Sequence, residues 1–334
     1  MSLEVGRRLA LMGGATVLAV ATVAVGGDPS RAIAQESAGA QADLETMRVQ
    51  GNVHVVVGAG ANITVQTGPL GVVVVDTGLP QHSDRVLAAI RTLSNRSIRF
   101  VINTHAHPDH AGANEQLAAA GTPVSGRGVA VVGAGQTSRA EIVAYELVLH
   151  RMSGTSGEAP TPAAAWPTTT FSYPQKEFFT NGEGIQIVHQ PAAHTDGDSI
   201  VFFRRSDVIS AGDVFSTTSY PVIDLEHGGT IQGFLAAVNR LIEIAIPDVD
   251  QQGGTLIVPG HGRLSDEMDV VEYRDMVTIV RDRIADMIDG GSSLAAVQAA
   301  RPTFEFDARY GAERGSWTTS DFVAAVYASL SAPR

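Results

Sequence analysis

The segment Phe100-Val-Ile-Asn-Thr-His105-Ala-His107-Pro-Asp109-His110 decides the fold that this sequence predicts. It begins as an apolar, β-branched run of the kind that forms a buried strand, and that run ends at Asn103 and Thr104. Four side chains that can bind a metal ion follow at once. The sequence therefore predicts a strand that ends in a ligand-bearing loop.

The spacing within this loop allows it to serve two metal ions. His105 and His107 are two residues apart and can turn their rings the same way from an extended backbone. Pro108 then stiffens the turn that presents Asp109 and His110. Imidazole and carboxylate groups suit Zn, Fe or Mn and do not choose sharply among them, so the identity of the metal stays open.

Three later segments also place a metal-binding side chain where a predicted strand gives way to a loop. They are Ala193-His194-Thr195-Asp196-Gly197-Asp198, Ser210-Ala211-Gly212-Asp213 and Val258-Pro259-Gly260-His261-Gly262. An earlier segment, Val72-Val73-Val74-Val75-Asp76-Thr77-Gly78, has the same form with a single carboxylate. We expect these side chains to converge on one site.

Together these segments resemble the ligand motifs of the metallo-β-lactamase superfamily of metallohydrolases. The resemblance implies a mixed α/β fold, the four-layer αββα sandwich, in which helices cover two central sheets. The ligands that it implies are His105, His107 and His194 for a first metal, Asp109, His110 and His261 for a second, and Asp213 as the bridge. Asp76 would stand behind the ligands and orient them.

The resemblance implies hydrolysis by a metal-bridging hydroxide, because two metals lower the pKa of a water molecule held between them. Asp109 would be catalytic, orienting the hydroxide and taking up its proton. The expected cofactors are two Zn ions, with Fe or Mn also compatible. The best-known lactam-cleaving members carry Cys, or no ligand, where Asp213 stands. A bridging Asp is more similar to the thioesterase, lactonase and phosphodiesterase branches, so the expected substrates are an ester, thioester, lactone or β-lactam.

Two other functions fit the same motifs. Sulfur dioxygenases of this superfamily look similar at His105, His194 and Asp213 and use a single iron. A zinc-binding protein without catalysis is the other alternative. The complete set of seven ligands favours two metals. Metal analysis of the purified protein would separate hydrolysis, with two zinc ions, from oxidation, with one iron, and any turnover of a chromogenic ester or lactam would exclude the non-catalytic alternative.

Composition narrows the choice of partner. The chain has 334 residues, of which 44% are hydrophobic and 17% charged, so it can bury a large core. The formal net charge is -12 and no run of Lys or Arg is present, which argues against nucleic acid and favours a small-molecule substrate. The chain has no Cys, which excludes disulfides, a thiolate ligand and a Cys nucleophile.

The N-terminus reads as an export signal over residues 1–34. Arg7-Arg8 precede the apolar stretch Leu9–Val25, and Ala32-Ile33-Ala34 fits a cleavage site. The paired arginines are typical of the twin-arginine route. We expect a periplasmic or secreted protein with no stable membrane partner, unless this segment is retained as an anchor. A flexible arm is predicted over 35–50 and a single catalytic domain over 51–334.

Three further residues are candidates for substrate contact. Ser153–Thr170 is rich in Pro, Ala, Thr and Gly, and a loop of this length is predicted to cover the metal cleft with Trp166 inside it. Tyr220 follows Asp213 on the next loop, and Asn114 begins the helix predicted after the first motif. A helix is also predicted over Thr137–Met152 from its apolar spacing.

Overall fold

The computed structural model describes residues 44–123, 139–248 and 253–332. The predicted signal peptide and residues 35–43 of the predicted arm lie outside these ranges. Strands in the described residues form two sheets. The first sheet contains β1 (Glu45–Gln50), β2 (Val53–Ala59), β3 (Ala61–Gln66), β4 (Val72–Val75), β5 (Ile98–Ile102), β6 (Glu141–Tyr145) and β7 (Thr169–Phe171). The second contains β8 (Gln175–Thr180), β9 (Glu183–His189), β10 (Ser199–Phe203), β11 (Val208–Ser210) and β12 (Leu256–Val258).

The strands of the first sheet lie in sequence order, β1 to β7. The pairs from β1 to β4 are antiparallel, and those from β4 to β7 are parallel. Strand β4 has the sequence Val-Val-Val-Val and is buried throughout, as expected for a strand covered on both faces. This double coverage explains why the strand shows no alternation of apolar and polar residues.

The second sheet has the order β12-β11-β10-β9-β8. Strands β11 and β12 are parallel, whereas β10 is antiparallel to both β9 and β11. Strand β9 therefore points in the same direction as β11 and β12. This arrangement brings the C-terminal ends of these three strands to the same edge.

The described helices cover the outer faces of the two sheets. They are α1 (Ser83–Leu93), α2 (Pro108–Ala111), α3 (Asn114–Ala119), α4 (Glu146–Met152), α5 (Ile231–Ile244), α6 (Glu267–Asp289), α7 (Leu294–Ala300), α8 (Asp307–Tyr310) and α9 (Thr319–Ser331). Helices α1 and α3 pack on the first sheet, and α5, α6 and α9 pack on the second. Among the described residues, no helix is both long and apolar enough to cross a lipid bilayer.

The core between the sheets is formed by the inward faces of both. Val55 and Val75 of the first sheet belong to the same buried cluster as Ile187 and Phe203 of the second. Each fully buried side chain of this kind stabilises the fold by roughly 1.5–3 kcal/mol. With helices outside and sheets inside, the predicted four-layer αββα sandwich is confirmed.

Two predicted elements differ from the structure over part of their length. The arm predicted over 35–50 includes β1, which pairs antiparallel with β2 through its backbone while most of its side chains are exposed. In the helix predicted over Thr137–Met152, the described residues form strand β6 and then helix α4, so only its C-terminal part is helical. Residues Ile142 to Ala144 of β6 are buried because the strand lies inside the sheet. A short buried run is compatible with the periodicity of a helix as well as with that of a strand.

Candidate metal centre

Seven predicted ligands meet at one edge of the sandwich, in two groups. His105, His107, His194 and Asp213 each place one ligand atom within 4.8 Å of the others. Asp109, His110 and His261 form a second group by the same measure. The loops that carry them follow β5, β9, β11 and β12, so the topology of the sheets brings them together.

Asp213 lies between the two groups and turns one carboxylate oxygen toward each. Its Oδ1 is 3.1 Å from His110 Nε2 and 3.4 Å from His261 Nε2. Its Oδ2 is 3.9 Å from His105 Nε2 and 3.8 Å from His194 Nε2. Asp213 thus has one oxygen near each group, and its role as a bridge between two metals stays a prediction.

Two glycines allow the loops to approach so closely. Gly212 has φ +54°, a conformation that glycine adopts without strain, and a Cβ there would lie 2.7 Å from Thr104. A Cβ on Gly260 would lie 2.0 Å from Asp213 Oδ1. The residues that precede Asp213 and His261 must therefore be small, because a side chain on either would displace the site.

Asp76 contacts the second group from behind, as predicted. His110 Nδ1 lies 2.7 Å from Asp76 Oδ2. The backbone N–H and the hydroxyl of Thr104 also donate to this carboxylate, at 2.8 and 2.7 Å. When His110 donates through Nδ1, its Nε2 keeps a lone pair directed at Asp109 and Asp213.

Histidines of the first group are oriented in the same way. His194 Nδ1 donates to the carbonyl oxygen of Val222 at 2.7 Å, and His107 Nε2 donates to Asp224 Oδ2 at 3.0 Å. Asp224 is also bonded to His227 Nδ1. Sequence analysis did not identify Asp224, because a single carboxylate in a long loop carries no motif.

The geometry of the centre fits bound cations. In the neutral rings, His107 Nδ1 and His194 Nε2 both keep lone pairs, and these atoms face each other at 2.9 Å. His105 Nε2, His110 Nε2 and Asp213 Oδ1 are buried without a hydrogen-bond partner, which is costly unless a cation satisfies them. A donor set of nitrogen and oxygen atoms suits Zn, Fe or Mn.

Electrostatics within the centre also favour positive charge. Burial alone would raise the pKa of Asp109, but His110 and His261 outweigh it and lower that pKa to about 2. Burial would lower the pKa of His261, but the carboxylates of Asp213 and Asp109 raise it to about 10. By contrast, burial and the neighbouring His107 lower the pKa of His194 to about 4.

Tyr220 and Asn114 do not reach the centre in the way predicted. Tyr220 is buried and donates its hydroxyl to the Thr303 carbonyl oxygen and to Asp307, within the helical layer. The Asn114 amide is fully buried and bonds to Asn103 and to the Ala165 carbonyl oxygen. The polar groups of both side chains are thus bonded within the protein, which indicates a structural role.

Trp166 lies partly buried beside the cluster formed by Ala144, Val148 and Met152. Its ring nitrogen donates to the carbonyl oxygen of Thr161. Another residue of the same long loop, Glu158, lies 3.3 Å from His227 and so borders the first group of ligands. A role for Trp166 in substrate binding stays a prediction.

Comparison with protein families matches residues 56–267 to the metallo-beta-lactamase superfamily. No curated protein matches the chain. Among solved structures, a metallo-beta-lactamase from Pontibacter korlensis is similar with a TM-score of 0.51 and 17% identity, over 70% of this chain and 99% of that one. DIM-1 metallo-beta-lactamase is similar with a TM-score of 0.52 and 14% identity, over 71% and 98%.

A larger enzyme shares more of the present chain. The stereoselective inverting sec-alkylsulfatase Pisa1 from Pseudomonas sp. aligns with 85% of this chain and 50% of its own length, with a TM-score of 0.56 and 14% identity. At such identities the likeness of these structures establishes the fold alone. The fold and the family model agree with each other.

Proposed function

This chain belongs to the metallo-β-lactamase superfamily, and from that premise we propose that it is a hydrolase of small molecules that uses two metal ions. The observation that carries the proposal is the position of Asp213, whose two oxygens each face a different set of histidines. A single metal would leave one of these oxygens, and the ligands around it, without a partner.

A pair of metal ions bound here supplies an activated water molecule and polarises the bond under attack. His105, His107 and His194 would hold one ion, and Asp109, His110 and His261 the other. Asp109 remains ionised at neutral pH because its pKa is about 2, so it can accept a hydrogen bond from the attacking water and orient it. Asp76 and Asp224 keep His110 and His107 turned toward the centre.

Exposure of the ligands indicates the side from which a substrate approaches. The His261 side chain is 33% exposed and that of Asp213 13%, whereas those of His105 and His110 are nearly inaccessible. A substrate therefore reaches the centre past His261. The bond that is cleaved belongs to an ester, thioester, lactone or β-lactam in this proposal, and the sulfatase neighbour adds a sulfate ester to the substrates worth testing.

We also propose that the enzyme lies outside the cytoplasm. Residues 1–34 would direct export, with the paired Arg7-Arg8 as the twin-arginine feature, and the mature enzyme would be periplasmic or secreted. Fractionation of cells that express the full chain, with mass determination of the mature N-terminus, tests this part.

Metal analysis combined with a substrate panel tests the activity. The panel contains a chromogenic β-lactam, a p-nitrophenyl ester, an acyl thioester, a lactone and a secondary alkyl sulfate. Wild type is expected to contain two metal ions per chain and to hydrolyse at least one substrate. His110→Ala should lose one of the two metals and should no longer turn over the substrate. His150→Ala, at an exposed position of α4, should keep the wild-type metal content and turnover. One iron per chain, or a fully active His110→Ala variant, would contradict the proposal.

A further inference from the structure

An apolar cavity of about 470 Å³ is lined by residues of β1, β2, β3 and β12 and of the loop after β12, which carries His261. Its volume lies within the range of pockets that bind small molecules. The apolar part of its lining consists of Met47, Val55, Val57, Val258 and Leu264. All five are aliphatic or thioether side chains, so the cavity offers flexible apolar contacts and no aromatic ring for stacking.

The two polar side chains in the lining make hydrogen bonds within the protein. The Asn62 amide nitrogen donates to the carbonyl oxygens of Pro259 and Gly262, at 3.0 Å each. The guanidinium of Arg263 is paired with Asp269. Because most of the lining is apolar, a polar ligand would find few groups to replace its bonds to water, which favours an apolar occupant.

The loop that carries His261 borders the cavity. Val258 and Gly262 line the cavity, and His261, the most exposed ligand, lies between them in the chain. The contacts from Asn62 hold this loop against the start of β3, where the Asn62 N–H also donates to the Gly260 carbonyl oxygen. A molecule that passes His261 to reach the metals therefore lies next to the cavity.

We propose that this cavity binds the unbranched aliphatic acyl chain of an ester or thioester substrate while the carbonyl group lies at the metal centre. This inference rests on the proposed hydrolase function and adds a substrate class to it. Burial of each methylene strengthens binding by up to about fourfold, so the chain length of the substrate should govern its selection.

A series of p-nitrophenyl esters tests the proposal on the metal-loaded protein. We expect kcat/KM to rise at least about tenfold from the acetate to the octanoate ester, well below the limit that complete burial of six methylenes would allow. Met47→Trp should lower the octanoate-to-acetate ratio at least about fivefold, because the indole would fill the cavity beside an edge strand that tolerates exposed side chains. Leu264→Ala should shift the preference toward longer chains by enlarging it.

Leu70→Trp is the matched control and should keep the wild-type ratio. Leu70 is exposed in the turn between β3 and β4, at the opposite end of β3 from the Asn62 contacts.

Calorimetric titration of the chelator-treated protein with octanoate and with acetate gives a readout that does not need turnover. Octanoate should bind, acetate should not, and Met47→Trp should weaken octanoate binding.

The outcomes separate this inference from the proposed function. Octanoate binding that depends on Met47, in a protein that hydrolyses none of the esters, supports the cavity and contradicts the proposed ester hydrolysis. Ester hydrolysis without any effect of chain length, and with equal ratios in Met47→Trp and Leu70→Trp, overturns the cavity proposal and leaves the hydrolase intact.

Discussion

Asp76→Asn tests whether the tautomer of His110 controls the second metal site. Asn keeps the shape of the side chain and tolerates the left-handed backbone of this position, where φ is +62°. The Asn oxygen can still accept from the Thr104 N–H, and its NH₂ group can donate to the Thr104 hydroxyl. The NH₂ group would, however, face His110 Nδ1, which now donates at 2.7 Å.

Two donors cannot share that contact, so His110 must move its proton to Nε2. That atom lies 3.1 Å from Asp213 Oδ1, an oxygen that can accept the new hydrogen bond. Protonated Nε2 has no lone pair for a metal. Loss of such an orienting group typically weakens metal affinity about 10- to 100-fold, equivalent to about 1.4–2.7 kcal/mol. We expect this loss at the second site, with the first site nearly unchanged.

Competition with a chromophoric chelator measures both affinities in the same titration. Asp275→Asn provides the matched control, because that carboxylate is exposed on α6 and far in sequence from every ligand. Thermal unfolding of the metal-free variants reports any general damage to the fold. Two metals bound to Asp76→Asn with wild-type affinity would show that His110 does not depend on Asp76 for its tautomer, and the reasoning would fail.

Three further predictions follow from the same geometry. Gly260→Ala should lose both metals, because its Cβ would lie 2.0 Å from Asp213 Oδ1. Metal analysis of the purified variant measures this loss, and full occupancy would contradict the prediction. Tyr220→Phe should lower the free energy of unfolding by about 1–2 kcal/mol in denaturant titration, because the hydroxyl loses its bonds within the protein. The variant should keep wild-type turnover of the best substrate. A large loss of turnover without a loss of stability would indicate that Tyr220 contacts the substrate after all. The chelator-treated protein should lose stability as the pH rises from 6.5 toward 10. The reason is that the pKa of His261 is raised to about 10 in the folded protein. The protonated ring therefore stabilises the fold fully below pH 6.5 and no longer does so above pH 10. A denaturation midpoint that does not change between pH 6 and 10 would refute this assignment.

The candidate metal ligands could be picked out from the sequence because each is encoded locally. A β-branched run marks the strand before His105, and the residues that end the run lie in the same short segment as the ligands. Parallel and antiparallel pairing then carries the loops to one edge of the sandwich, which the resemblance to a known superfamily implied. Convergence was therefore predictable without any side-chain coordinates.

Substrate contacts were harder to predict because burial depends on distant parts of the chain. Tyr220 follows a ligand in sequence, yet its ring stacks on Phe322 at 4.8 Å and its hydroxyl bonds to Thr303. The residues next to Tyr220 in the sequence do not predict these partners, which belong to the C-terminal helical layer. The same reason applies to Asp224, whose role depends on how the loop after Asp213 folds back onto His107.

The charge of the centre offers an independent argument for two metals. Asp109 and Asp213 lie among the ligands, and Asp76 and Asp224 stand directly behind them, so four carboxylates share this edge. Asp198 also lies nearby, but burial raises its pKa to about 8 and keeps it neutral at pH 7. Two divalent cations balance four negative charges, whereas one would leave two charges poorly compensated in a largely buried site. Protonated histidines could supply the balance instead, but a protonated ring cannot bind a metal, so the charge is consistent with the two metals that we propose.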